Sequence, residues 1–205
     1  TTSHPQAFSD DLIQAHADIP ELVDHLHLPV QSGSNKILQA MKRGYTIDVF
    51  EDQIAKLKKV KPGIPISTDL IIGFPNETDQ DFEDTLNLIK RTQFDHSFSF
   101  IYSKRPGTPA ADIYDPISME QKKERLNIVQ SLIQEHANHI SNSMIGQTVE
   151  VLFEGVSKKS ADELTGKTEN NRYVNIPGAP SLIGQIKRVK VLSANRHFLK
   201  GQFVD

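Results

Sequence analysis

A chain of 205 residues with 37% apolar and 24% charged residues has an ordinary globular composition, with room for one good core or two modest domains. It offers no run of about eighteen apolar residues to cross a membrane and no basic-then-apolar leader at Thr1-Thr2-Ser3-His4-Pro5, so the expected setting is cytoplasmic. The absence of cysteine excludes disulfides, thiolate zinc sites and any thiolate-held iron–sulfur cluster within the chain.

The chain has no initiating Met and opens in a segment that reads as the tail of a strand, so a truncated protein is expected. Up to about residue 143, short apolar segments then alternate with helical patterns, as in βα units around a parallel sheet. His25 to Val30 reads as a strand. Ser34 caps a short helix through Met41, and Thr46 caps another whose Ile47, Phe50, Ile54 and Leu57 share one face until Pro62-Gly63. Ile66 to Ile72 is the next strand, followed after Gly73-Phe74-Pro75 by a capping box at Thr78-Asp79-Gln80-Asp81 and a helix with Phe82, Leu86 and Ile89 inward. Phe98 to Tyr102 is a third strand. A Pro/Gly-rich loop from Arg105 to Pro116 leads to Ser118, which caps a long helix ending near Met144. Three or four parallel strands cannot close a barrel, so this first part reads as incomplete.

Beyond Gly146 the period shortens. Thr148 to Phe153, Leu164 to Thr168, Tyr173 to Ile176, Ile183 to Leu192 and Leu199 to Val204 alternate as short strands separated by turn residues, which indicates a small antiparallel barrel. From Met144 onward nine Lys/Arg face six Asp/Glu, a net +3, against −6 for the rest of the chain. A basic module joined to an acidic one points to a polyanionic partner.

Six segments in order carry a family resemblance: Thr2-Ser3-His4-Pro5, His25 to Ser34, Met41-Lys42-Arg43-Gly44-Tyr45-Thr46, Asp69 to Thr78, Phe98 to Ala110 and Gly166-Lys167-Thr168-Glu169-Asn170-Asn171-Arg172. Together they resemble the radical S-adenosylmethionine (SAM) methylthiotransferases over essentially the whole chain. The resemblance implies an α/β fold class: residues 1–143 as the C-terminal half of a radical SAM (β/α) partial barrel, and residues 144–205 as a small all-β, OB-like TRAM domain that binds RNA. Within the family, Lys167 to Arg172 favours the branch that methylthiolates N6-isopentenyladenosine near the anticodon of tRNA. The threonylcarbamoyl-adenosine branch shares the Gln31 to Ser34 segment, and a non-catalytic RNA-binding protein is the alternative from another class.

The implied cofactors are SAM and two [4Fe–4S] clusters, one of which cleaves SAM to a 5′-deoxyadenosyl radical. With no cysteine here, their ligands are expected outside this chain, the metal ligands and catalytic residues within it number none, and the fragment alone is expected to be inactive. The implied partners are tRNA and SAM, without a membrane, and the full-length enzyme is expected to be a monomer.

Active groups of β/α barrels lie at the C-terminal ends of strands. Gln31, Ser32 and Ser34 offer amide and hydroxyl groups there for SAM, although Ser34 also serves as a helix cap. Ile71 and Gly73 supply an apolar wall and close backbone approach for an adenine, and Glu77 orients that loop or favours the next helix N-terminus. Tyr102 and Arg105 offer a hydroxyl and a fork for a carboxylate or phosphate, whereas Lys104 reads as solvated. His25 and His27 share a strand face and read as packed or hydrogen-bonded in preference to a metal pair. In the barrel, Lys158, Lys159, Lys167 and Arg172 are candidates for phosphates, and Asn170 and Asn171 for bases or a turn. Few aromatics are present, so backbone and shape recognition is expected.

Overall fold

The apolar stripes read from the sequence become the buried faces of two separate cores. In the computed structural model, which describes residues 3–158 and 160–204, the chain forms two compact units. One is drawn from the residues up to Leu22 and Leu26–His136; the other takes Val23–His25 and the residues from Ala137 on.

The first unit is built on three parallel strands, β1 (Leu26–His27), β2 (Ile66–Ile72) and β3 (His96–Ile101), adjacent in that order. Its helices are α1 (Asp10–Asp18), α2 (Asn35–Ala40), α3 (Ile47–Val60) and α4 (Asp79–Thr92), with α5 (Met119–Ser143) beginning in it. The sheet buries Leu26, Leu28, Ile66, Leu70 and Ile72 against Phe50, Ile54 and Leu57 of α3, Phe82, Leu86 and Ile89 of α4, and Val129 and Ile133 of α5. The expected stripes of α3 and α4 are therefore the ones used. The opposite sheet face stays open: Phe98 is 53% exposed and Phe100 is 59% exposed, and β3 pairs only with β2 among the described residues.

The expected strand from His25 to Val30 is a ladder only at Leu26–His27. Pro29 has no N–H to give, and the Val30 N–H donates instead to the Thr68 hydroxyl at 2.9 Å, which in turn donates to the Leu28 carbonyl at 2.8 Å. The backbone bridge resumes at Gln31 beside Leu70. Helix α1, absent from the sequence reading, is capped by Ser9 and packs on α3 through Ile13, while Gln53 donates to the carbonyls of Pro5 and Phe8 at 2.7 and 2.8 Å.

In the second unit, β4 (Thr148–Val156), β5 (Glu163–Thr168), β6 (Tyr173–Pro177), β7 (Ile186–Ala194) and β8 (Leu199–Phe203) close in the order β4-β5-β6-β8-β7. Alternation puts Val151, Phe153, Leu164, Val174, Ile176, Val189, Val191 and Leu199 inside, with Met144 beneath them. The barrel is not wholly antiparallel as expected, because β6 and β8 run parallel. The link from β6 to β7 is no tight hairpin: a 3-10 turn at Pro180–Leu182 and Gly184 at φ 84° carry the chain round. The strand that returns beside β6 is then β8. The same link explains why β7 begins at Ile186 and not at Ile183.

Phe153 is fully buried at the centre of this small core. Phe153→Ala is expected to destabilise the barrel by about 3–5 kcal/mol, read as a lowered urea midpoint, and a loss under about 1 kcal/mol would place the centre of that core elsewhere.

Candidate cofactor site and nucleic-acid interface

Three loops leave the C-terminal ends of β1, β2 and β3, and each carries residues singled out from the sequence. Gln31 adopts φ 72° yet still bridges β2, its N–H donating to the Asp69 carbonyl at 2.8 Å and its carbonyl accepting from Ile71 N–H at 2.9 Å. Its side-chain amide has no hydrogen-bond partner among the described residues. The Ser32 hydroxyl accepts from Ser34 N–H at 3.2 Å and lies 3.5 Å from that of Thr85, which also accepts from Gly33 N–H at 2.9 Å. A Cβ on Gly33 would stand 2.4 Å from the Thr85 Cα, so only glycine lets this loop lie on α4. Ser34 caps α2 and donates to Asp81 at 2.7 Å. From above, Tyr45 donates to the Val30 carbonyl at 3.0 Å, and burial pushes its phenol up to about 12, keeping it a donor.

After β2, Gly73 turns at φ 68°, and a Cβ there would meet Lys122 Cγ at 2.5 Å. Its N–H donates to buried Glu77 at 3.0 Å, and the same carboxylate oxygen takes Arg125 Nη1 at 2.7 Å. Arg125 also reaches Asp79 and lies 5.2 Å over the Phe82 ring, while buried Lys122 pairs with Asp115. Ile71 is half-buried on the open sheet face with Asp69. There His27 bonds the Ser67 hydroxyl at 2.8 Å and the Asp69 carboxylate at 3.3 Å, so it is a hydrogen-bonded histidine. At the end of β3, Tyr102 sets its ring edge-on to Phe74 at 5.0 Å, and its buried hydroxyl has no partner among the described residues. Arg105 is exposed, its carbonyl closing a turn with Thr108, and its guanidinium has no partner among the described residues.

Two buried carboxylates behave oppositely. Burial pushes the Glu77 carboxyl up, opposed but not overcome by Arg125 and Gly73 N–H. Burial also acts on Asp81, yet hydrogen bonds from Lys36, Thr78 and Ser34 outweigh it and hold that carboxyl well below the usual range. The sequence showed Asp81 only as half of a capping box; its partners Ser34 and Lys36 lie 47 and 45 positions away. Arg125 and Thr85 gave no signal beyond helical pattern.

In the barrel, Lys158 is exposed just past β4, and Lys159 lies outside the described residues. Lys167 on β5 holds its ammonium 5.0 Å over the Tyr173 ring. Asn171 takes φ 62° in the turn between β5 and β6, and Asn170 accepts from Thr168 and donates to Met144 sulfur. The guanidinium of Arg172 is held by the Ser141 hydroxyl at 2.9 Å and the Ala137 carbonyl at 3.3 Å. The structure thus gathers Asn170, Asn171 and Arg172 into one turn beside the end of α5, and sets Lys167 apart on the outer face.

Residues 1–89 match the Radical SAM superfamily and residues 142–204 match the TRAM domain. The chain therefore carries a radical SAM domain and a TRAM domain, the two modules that the six motifs implied. It is similar, at 54% identity over 205 residues, to the tRNA-2-methylthio-N(6)-dimethylallyladenosine synthase of Legionella pneumophila (strain Corby), covering all of this chain and 46% of that protein. Proteins of the same name from Histophilus somni (strain 129Pt) and Coxiella burnetii (strain RSA 331 / Henzerling II) are 54% and 55% identical over 100% and 98% of this chain and 43% and 46% of theirs. The chain therefore spans a little under half the length of these curated relatives. Among solved structures, coproporphyrinogen III oxidase (HemN) from Escherichia coli, titled a radical SAM enzyme, aligns with a TM-score of 0.54 at 17% identity, over 82% of this chain and 45% of that one, a likeness of fold. No helix among the described residues is long and apolar enough to cross a membrane.

Asp81 yields a pH-dependent prediction. Its carboxyl ionises more readily folded than unfolded, so its stabilisation is complete above the ordinary aspartate range and fades as pH falls below about 4. Asp81→Asn should cost about 2–3 kcal/mol at pH 7, with melting curves of variant and parent converging below about pH 4. A gap that persists unchanged in acid would refute the assignment.

Proposed function

We propose that this chain is the SAM-orienting and RNA-binding portion of a tRNA methylthiotransferase that places a 2-methylthio group on N6-isopentenyladenosine near the anticodon. The functional division falls at 143/144, where α5 ends: residues 1–143 serve the cofactor and residues 144–205 the tRNA. The observation that carries this is the 54% identity that runs unbroken through both modules to relatives bearing that name. The proposal includes a monomeric, cytoplasmic full-length enzyme.

Whether the residues present suit SAM can be judged from unsatisfied groups. Among the described residues, the buried Tyr102 hydroxyl, the Gln31 amide and the Arg105 guanidinium have no partner, and they stand after β3, β1 and β3, where a ligand with ribose hydroxyls and a carboxylate finds its donors. They fit. Ile71 and the backbone at Gly73 wall the adenine, and Ser32 and Ser34, whose hydroxyls are held by Ser34 N–H, Thr85 and Asp81, keep the Gln31 loop in place. A [4Fe–4S] cluster does not fit this chain, which has no thiolate to offer, so the ligands of both clusters belong to segments outside it. Bound SAM supplies the radical and methyl chemistry; the residues here bind it, orient it and shield it from water. In the barrel, Lys158, Lys159 and Lys167 meet phosphates, while Asn170, Asn171 and Arg172 shape the turn that presents them.

Mass spectrometry of tRNA tests the reading. A strain lacking the 2-methylthio modification, given the full-length gene containing this chain, is expected to regain 2-methylthio-isopentenyladenosine. Recovery of the threonylcarbamoyl counterpart would move the chain to the sister branch, and recovery of neither from expressed, cluster-loaded protein would sink the enzyme reading.

A further inference from the structure

The β4-to-β7 side of the barrel carries a row of outward residues that the core does not explain. Register pairs Ile186 of β7 with Leu152 of β4, Leu152 with Lys167 of β5, and Lys167 with Tyr173 of β6. Each alternates with an inward neighbour, since Val151 and Phe153, Gly166 and Thr168, and Val174 are buried. All four therefore point away from the core and form one line about 15 Å long across four strands. Ile186 is 60% exposed, Tyr173 48% and Leu152 43%, an apolar and aromatic strip on a unit whose own core is already complete.

What surrounds the strip decides its occupant. One row further along β5 and β6, the outward pair Thr165 and Asn175 has a hydroxyl and a side-chain amide with no partner among the described residues. On the other side, Arg188 and Lys190 of β7 point outward and bear no ion pair among the described residues, although Arg188 stands opposite the exposed Glu150 of β4 in the ladder. An aromatic face, hydrogen-bonding groups for a base edge and cations for phosphate, side by side, match a single-stranded nucleotide. A protein surface would favour a strip without the flanking cations.

We propose that this face grips one unpaired RNA base, which stacks on Tyr173 while Thr165 and Asn175 meet its edge and Lys167 swings from the ring to the adjoining phosphate. The proposal rests on the reading of the barrel as an RNA-binding module, and it adds a stacking contact where the sequence pointed to backbone recognition alone. Lys167 is held to Tyr173 only by an exposed cation–π contact, so a phosphate can recruit it.

The test measures anisotropy of a labelled anticodon stem–loop RNA with the whole chain across a salt series. Tyr173→Ala should weaken binding roughly 5- to 150-fold, the range for losing one stacked base, with the salt slope unchanged, and Tyr173→Phe should bind as the parent does. Lys167→Ala should weaken binding and flatten the salt slope by about one charge. Ile186→Ser, another exposed position on the strip, serves as a second variant should Tyr173→Ala fold poorly, and should weaken binding without altering the slope. Binding by Tyr173→Ala within about twofold of the parent, or a Tyr173→Phe as weak as Tyr173→Ala, would overturn the stacking proposal. Self-association of the parent in sedimentation that Tyr173→Ala abolishes while RNA binding stays intact would also overturn it and assign the strip to a protein contact. Failure of the parent chain to bind RNA at all would sink the underlying RNA reading, and the stacking proposal with it.

Discussion

Four donors converge on the Asp81 carboxylate: the Ser34 hydroxyl, the Lys36 ammonium, and the N–H and hydroxyl of Thr78. A buried carboxylate must be fully bonded or become neutral, and here both helix starts nearby depend on the same ion. Ser34 begins α2 and Thr78 begins α4, so the loop after β1 and the loop after β2 are fixed to one point. Gly33 makes this possible by letting the backbone lie against Thr85, and the Thr85 hydroxyl takes the Gly33 N–H that the approach would otherwise strand. In this arrangement the Ser34 hydroxyl accepts from the Ile37 N–H at the start of α2 and donates to the Asp81 carboxylate at once.

A second buried ion pair organises the next layer. Glu77 holds the Gly73 turn through its N–H, and Arg125 of α5 holds Glu77, so the shape of the loop after β2 depends on a helix some fifty residues later. Lys122, one turn earlier on α5, covers Gly73 and is itself neutralised by Asp115. Once these networks are satisfied, the Gln31 amide, the Tyr102 hydroxyl and the Arg105 guanidinium at the strand ends are left without partners among the described residues. The sequence grouped Ser32 and Ser34 with them because all lie after a strand. The distinction between a group that holds the loop and a group that remains available appears only when α4 is laid beside it.

Helix α4 was legible from a capping box followed by the stripe Phe82, Leu86 and Ile89, and α3 from the stripe Ile47, Phe50, Ile54 and Leu57 alone, because Thr46 makes no side-chain cap bond; β2 was legible because its alternate positions Ile66, Thr68, Leu70 and Ile72 are all buried. Helix α1 was not: its nine residues have a single buried aliphatic, Ile13, its side-chain link to α3 is the exposed Lys56–Asp10 pair, and the segment before it is held by Gln53 bonding the carbonyls of Pro5 and Phe8. The short ladder of β1 also escaped reading, because the Thr68 side chain replaces a backbone partner that Pro29 disrupts. In the barrel, alternation located all five strands but could not give their directions. The parallel pairing of β6 with β8 follows from the path of the 178–185 link, which periodicity does not encode.

Charge counting has the same weakness, and correcting it bears on how the barrel can hold RNA. The net +3 from Met144 onward treats nine cations alike, yet the Arg172 guanidinium is held by Ser141 and Ala137, and Lys200 lies 3.6 Å from Glu163. Counterion release scales with the phosphates actually neutralised, so the electrostatic share of binding is smaller than the sequence suggests. A module with fewer available cations needs contacts that do not fade with salt. An exposed tyrosine set in line with Leu152 and Ile186 is a contact of that kind, since stacking draws on area removed from water and not on charge. Few aromatics do not preclude a base contact: of Phe153, Tyr173, Phe198 and Phe203 only Phe153 is buried in the core, and Tyr173 is 48% exposed. One on the outside, in the right row, is sufficient for one base.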